Sequence, residues 1–309
     1  MSAPKFAGII PPLCTPFHSD FSVDTESLRR HLGVQLDAGV HGIFVLGSSS
    51  EVAFLPDTQR RTVLKTAVEV VAGRVPVLAG CIDMTTLRVA EHVKAAEQLG
   101  ADAVVVTAPY YARTHAAEIE RHFRLLAERT ELPIFAYDIP MAVHSKLDPR
   151  MVLRLAEDGV LAGLKDSSGD EAGFRKVLLG KQERGLDGFA VFTGSELVVD
   201  AALAMGADGA VPGLGNIDPA GYVAIYEHSL AGNTEAARRE QERLLKLYSI
   251  TDVAPAGRMG RSSAGLGAFK AALKIRGFID NAVLAPPQLP LNAEELSLIE
   301  FKLTEAGLI

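Results

Sequence analysis

Residues 100–111 read Gly100-Ala101-Asp102-Ala103-Val104-Val105-Val106-Thr107-Ala108-Pro109-Tyr110-Tyr111, and this stretch carries the pattern of most of the chain. A glycine ends the preceding helical pattern, a short acidic turn follows, an apolar β-branched run reads as a buried strand, and a proline stops it. The same Gly-Ala-Asp phrase returns at Gly206-Ala207-Asp208 before another such run. Working outward, comparable runs occupy Gly8–Pro12, Gly42–Leu46, Val75–Ala79, Ala103–Thr107, Pro133–Tyr137, Leu161–Lys165, Phe189–Thr193 and Gly209–Pro212. Between them lie longer amphipathic stretches that open on Asp24, Asp57, Thr85, His115, Asp148, Asp170, Ser195 and Asp218, several of them good N-cap types. Apolar strands alternating with helices belong to an α/β protein with a parallel sheet. Eight such units are the number that closes a (β/α)8 TIM barrel, whereas an open doubly wound sheet usually stops at about five to seven strands.

After Leu230 the strand pattern ends, and three amphipathic segments remain at Thr234–Leu247, Ala264–Phe278 and Ala293–Ala306. The expected organisation is a catalytic barrel over residues 1–231 and a C-terminal three-helix extension over residues 232–309. The extension's linkers, around Gly257–Gly260 and Pro286–Pro290, are rich in glycine or proline.

With 31 Lys+Arg against 38 Asp+Glu the net charge is −7, which disfavours a nucleic-acid partner. An apolar fraction of 48% with 22% charged residues is that of a globular chain with a large core, not of a disordered one. No run approaches the roughly 18 apolar residues of a membrane span, and Met1–Phe6 lacks a basic region followed by an apolar one. A cytoplasmic protein without membrane association is therefore expected. Cys14 and Cys81 lie in apolar segments and read as small core residues.

In barrels the reactive groups gather at the carboxyl ends of the strands. Lys165 ends an apolar run there, and a cation so placed is costly unless paired, exposed or neutral. Two readings stand side by side: an ion pair with Asp166 or another acid, or a free amine that attacks a ketone to form a Schiff base. Tyr137 ends the preceding run and reads either as a packing aromatic or as a proton shuttle beside the amine. The turn Gly47-Ser48-Ser49-Ser50-Glu51 offers hydroxyls and backbone N–H groups to a carboxylate, or is ordinary loop chemistry.

Taken together, Gly47–Glu51, Pro109-Tyr110-Tyr111, Tyr137-Asp138-Ile139-Pro140 and Gly163-Leu164-Lys165-Asp166 resemble the motifs of the dihydrodipicolinate synthase / N-acetylneuraminate lyase superfamily, in order and nearly end to end. The resemblance implies a class I, pyruvate-dependent aldolase that needs no metal or organic cofactor and is commonly a homotetramer. It implies Lys165 as the Schiff-base lysine, Tyr137 as the proton-transferring tyrosine, and Ser48 and Ser49 as the carboxylate-holding hydroxyls. Tyr111 corresponds to a tyrosine supplied across a subunit interface, and Val211 to a residue whose carbonyl lines the pocket. Where the synthase proper carries an arginine five residues after its tyrosine, this chain has Ala142, which argues against a carboxylate-bearing aldehyde. At the synthase's lysine feedback site stand Met84 and Arg88, so feedback by lysine is not expected.

The segment Lys165–Asp170 tilts the reading toward the branch acting on 2-keto-3-deoxy sugar acids. The expected reaction is reversible cleavage of such an acid to pyruvate and an aldehyde, with Ala142, His144, Ser168, Ser195 and Asn216 as candidates for contact with the aldehyde end. The alternatives are a dehydratase working through the same imine, or 4-hydroxy-tetrahydrodipicolinate synthase, disfavoured by Ala142. A phosphate-binding barrel using Gly213–Asn216 and Gly257–Arg261, a metal-dependent lyase using Asp83, Asp138, Asp166 and Glu196, and a non-catalytic keto-acid binder complete the set.

Overall fold

A computed structural model describes residues 6–309. Its strands are β1 (Gly8–Ile9), β2 (Ile43–Val45), β3 (Val77–Gly80), β4 (Ala103–Thr107), β5 (Ile134–Asp138), β6 (Gly163–Asp166), β7 (Ala190–Thr193) and β8 (Gly209–Ala210). Every ladder is parallel, in the order β1-β8-β7-β6-β5-β4-β3-β2. The seam between β1 and β2 is closed by a parallel bridge, Pro12 to Phe44. Three backbone bonds span it: Leu13 N–H to Phe44 O at 2.8 Å, Phe44 N–H to Pro11 O at 3.1 Å and His41 N–H to Ile9 O at 2.8 Å. The fold is a (β/α)8 barrel.

The helices facing outward are α1 (Thr25–Asp37), α2 (Asp57–Val71), α3 (Thr86–Leu99), α4 (Ala116–Ala127), the short α5 (Pro140–Val143), α6 (Pro149–Glu157), α7 (Glu171–Glu183), α8 (Val199–Ala204) and α9 (Pro219–Leu230). Three more follow, α10 (Thr234–Tyr248), α11 (Arg261–Ile275) and α12 (Ala293–Glu305). Asp24, Asp148, Asp170 and Asp218 cap their helices as their residue type predicts, each accepting a backbone N–H of the first turn.

Beside shifts of one or two residues at other element ends, the structure departs from the sequence expectation chiefly in three places. The runs at Gly8–Pro12 and Gly209–Pro212 shrink to two-residue strands, because Pro11, Pro12 and Pro212 have no N–H for a ladder. Those strands also approach so closely that a Cβ on Gly209 would lie 1.9 Å from the Gly8 carbonyl oxygen. Ser195 does not open a helix: α8 starts at Val199, whose N–H is taken by the Gln241 side chain of α10 at 2.7 Å. Finally, α11 begins and ends earlier than the apolar pattern placed it, and Gly277 at φ 75° follows its end.

One continuous apolar core joins the strands to the last helices through Phe269, Leu273, Ile299 and Leu303. Among the described residues no helix is long and apolar enough to cross a membrane.

Candidate active site

Ladder register brings the two central side chains together. Tyr137 of β5 is the register partner of Lys165 of β6, so both project on the same side of the sheet. Lys165 is 5% exposed, and its Nζ lies 4.1 Å from the Tyr137 ring centroid and 4.9 Å from that of Phe44. Asp166, its neighbour in sequence, instead accepts the Ser168 N–H at 2.8 Å. Among the described residues no carboxylate forms an ion pair with Lys165, so the amine faces two aromatic rings.

Tyr137 is 3% exposed, with its hydroxyl 3.5 Å from Ser48 Oγ. Burial raises its phenol, but the charge of Lys165 and hydrogen bonds with Ser48, Ser167 and Lys165 outweigh burial and bring it below the ordinary tyrosine value. A phenol so lowered gives up its proton more readily than an ordinary tyrosine.

The turn Ser48–Ser50 follows β2 as one 3-10 turn. Ser50 anchors it, its hydroxyl donating to the Leu13 carbonyl while its own carbonyl accepts the Thr15 hydroxyl at 2.9 Å. Glu51 ends the turn at φ 61° and points inward to a buried ion pair with Lys270 of α11. Its other carboxylate oxygen accepts the Ala285 N–H at 2.7 Å and Gln288 Nε2 at 2.6 Å. Helix α11 and the segment between α11 and α12 thus hold the turn that presents Ser48 and Ser49. Asp138, an acid beside the tyrosine, is bound by Lys146 and the Leu147 N–H. Burial raises its carboxyl.

A cavity of about 430 Å³ is bordered by the serine turn, while Lys165 and Tyr137 are not among its lining residues. Ser48, Ser49 and Thr107 line one part of it, Ile139, Ala142 and Val143 another, and Arg261 and Phe269 of α11 close it from the extension. Ala142 offers no side-chain donor to a carboxylate. Three lining residues escaped the sequence reading in this role. Thr107 has a buried hydroxyl with no partner among the described residues. The sequence offers Arg261 only as part of a basic loop, and Glu196 only as a metal ligand. Glu196 accepts the Leu214 N–H, and burial pushes its carboxyl up to about 7 against the lowering effects of that amide, Lys165 and the Gly213 amide. The strand-end position of Glu196 was the available signal.

Other sequence candidates lie elsewhere. Tyr111 is 92% exposed at φ 74° and does not line this cavity. Val211 is buried after β8, giving its N–H to Thr193 O at 2.8 Å. His144 is exposed at φ 58° and caps the end of α5. The Ser168 hydroxyl accepts the Asp170 N–H at 3.1 Å, and the Ser195 N–H goes to Thr193 Oγ1 at 3.0 Å. Asn216 is wholly committed to structure: its side chain bonds the Cys14 N–H, His31, and the Pro12 and Gly213 carbonyls at 2.8–2.9 Å.

The phosphate reading therefore fails at the Gly213–Asn216 turn, whose Leu214 N–H is held by Glu196. The four acids considered for a metal each have a partner of their own, although Asp138 and Asp166 are register neighbours. Asp83 binds Arg88 and His92, Asp138 binds Lys146, Asp166 binds the Ser168 amide, and Glu196 binds Leu214. Among the described residues no three metal-ligating side chains cluster.

Fold and comparisons together define a barrel enzyme of the lyase class. The chain belongs to the dihydrodipicolinate synthetase family, which it matches over residues 5–306. It is 32% identical to an uncharacterized DapA-like lyase of Halobacterium salinarum over 98% of this chain and 94% of that protein. It is 30% identical to the 4-hydroxy-tetrahydrodipicolinate synthase of Thermotoga neapolitana, covering 98% of this chain and 100% of that one. Among solved structures it superposes with a TM-score of 0.91 and 27% identity on YagE, a prophage protein of the dihydrodipicolinic acid synthase family from E. coli K12 in complex with pyruvate. That match covers 98% of this chain and 99% of YagE. Members of the family are pyruvate-dependent lyases.

Proposed function

We propose that the protein is a Schiff-base aldolase that reversibly cleaves a 2-keto-3-deoxy acid to pyruvate and an aldehyde. The observation that carries this is the buried Lys165 amine, without a carboxylate partner among the described residues, beside the Tyr137–Ser48 pair. That YagE is seen in complex with pyruvate supports a keto acid as the substrate class.

In the cleavage direction the Lys165 amine adds to C2 and water leaves, while the Ser48 and Ser49 hydroxyls and turn amides hold the C1 carboxylate. Tyr137, as phenolate, takes the proton of the C4 hydroxyl. The C3–C4 bonding pair then passes into the iminium, the aldehyde departs, and the enamine of pyruvate stays on the lysine. Protonation at C3 and hydrolysis release pyruvate. Condensation is the reverse. Ala142 weighs against 4-hydroxy-tetrahydrodipicolinate synthesis, because the wall it shares with Ile139 and Val143 brings no cation to an aldehyde carboxylate. The sugar-acid branch indicated by Lys165–Asp170 makes 2-keto-3-deoxy sugar acids the first substrates to assay.

Borohydride with pyruvate, followed by peptide mass mapping, is expected to mark Lys165, and Lys165→Arg is expected to abolish both the adduct and turnover. An unmodified Lys165 or an active Lys165→Arg refutes the proposal. Product analysis separates the dehydratase: a dehydrated keto acid without pyruvate release replaces the aldolase reading. Tyr111, exposed at φ 74°, would serve a neighbouring subunit in a homotetramer. Activity should then fall as dilution dissociates the protein, and a fully active monomer in a sedimentation assay removes Tyr111 from the site.

A further inference from the structure

We propose that Glu196 moves the proton at C3 of the bound keto acid, giving it to the enamine carbon after cleavage and taking it back before condensation. This rests on the Schiff-base reading above. The reaction needs proton transfer at two different atoms, the C4 oxygen and the C3 carbon, and a single side chain is poorly placed to serve both. Tyr137 comes from β5 and Glu196 from the loop after β7, with Lys165 on β6 between them. The strand that carries Lys165 therefore lies between the strand that carries the phenol and the loop that carries Glu196, whose carboxyl feels the charge of Lys165. Tyr137, joined to Ser48, serves the oxygen, which leaves the carbon to Glu196.

Glu196 is held as a functional group is held. Its backbone carbonyl accepts Tyr222 Oη at 3.1 Å and Gln241 Nε2 at 3.0 Å, so α9 and α10 both fix its position. Glu196 lines the same cavity as Ser48, Ser49 and Thr107, and its carboxylate accepts the Leu214 amide. The titratable groups facing it are Lys165 of β6, Cys14 after β1, Tyr222 of α9 and Tyr248 of α10, with Asp252 and Arg261 on the same cavity. Burial pushes the Cys14 thiol up to about 12 and raises both tyrosines, so these three keep their protons near neutrality. Glu196, raised to about 7 by burial, exchanges its proton there.

The step balances. The Lys165 nitrogen lone pair forms the C=N bond, the enamine π pair forms the new C3–H bond, and the Glu196 carboxylic acid becomes a carboxylate that water reprotonates. Run in reverse with pyruvate alone, the step exchanges methyl hydrogens with solvent and needs no aldehyde.

The test is loss of the pyruvate methyl proton signal in D2O by NMR, with borohydride trapping in parallel. Wild-type exchange should rise with pH through an inflection near 7 and level above it. Glu196→Gln should slow exchange by about 100-fold and remove the inflection, while pyruvate is still trapped on Lys165. Glu196→Asp should restore part of the rate. Glu196→Gln exchange within about twofold of wild type overturns the proposal, as does a wild-type profile that is flat across pH 6–8. Failure of wild-type trapping instead overturns the Schiff-base reading beneath it.

Discussion

Two histidines show how single residues tune this barrel. His31 is fully buried, with Nε2 2.9 Å from Asn216 Oδ1 and Nδ1 without a partner among the described residues. His122 is buried with Nδ1 2.9 Å from Thr86 Oγ1, and its Nε2 likewise lacks a partner. Protonating His31 places a second N–H where no described residue accepts it, and burial pushes both rings down to about 4, against the weaker raising effects of Asn216 on His31 and the Thr107 backbone on His122. Between the ordinary value of 6.5 and about 4 the unfolded chain binds protons that the folded chain refuses. Stability is therefore full above pH 6.5 and falls as pH drops through that window, by about 1.4 kcal/mol per unit for each ring. Urea unfolding at pH 5 and pH 7 measures it, and equal stabilities would refute the assignment. Residue type foretold neither histidine, because the cause lies in neighbours. The same holds for Asn216, which the sequence offered as a substrate contact and the fold consumes as a four-way link between strand ends.

At the scale of elements, local signals governed what local chemistry decides. Four helices begin at their aspartate caps, and β4 and β5 fill the runs that alternation marked, apart from end residues. The strand ends, and with them Lys165, Tyr137 and the serine turn, were legible for this reason. The start of α8 was not, since its cap comes from Gln241, whose side chain bonds the Val199 N–H across 42 residues and the Glu196 carbonyl across 45. The place of Glu196 in the cavity was hidden by the same separation. Gln241→Ala is expected to cost about 1–2 kcal/mol by removing a cap and leaving buried groups unpaired. It should also slow the C3 exchange more than it weakens pyruvate binding. A denaturation curve superimposable on wild type would show that α8 is capped without Gln241.

For the whole molecule, the governing contact is the pair between Glu51 and Lys270, both without solvent exposure of their side chains. Lys270 also donates to the Val283 carbonyl at 2.8 Å and lies 4.0 Å from the Phe17 ring centroid, and burial lowers its pKa against the raising effect of Glu51. Removing one partner of a buried pair strands the other charge, so Lys270→Met should cost about 3–5 kcal/mol in urea unfolding. The double change Lys270→Met with Glu51→Gln should recover part of that loss, and additive losses would contradict the coupling. The sequence displayed Glu51 as part of a motif and Lys270 as one more helix lysine, and only the fold joins them.

That junction bears on any attempt to pare the enzyme down. A chain cut after residue 231 would keep the serine turn but expose a carboxylate shaped for an ammonium that had gone with the discarded helices. A working catalyst of this design accordingly retains α11 and the Ala285–Gln288 segment, unless a transplanted lysine or a neutral glutamine takes over inside the shortened barrel.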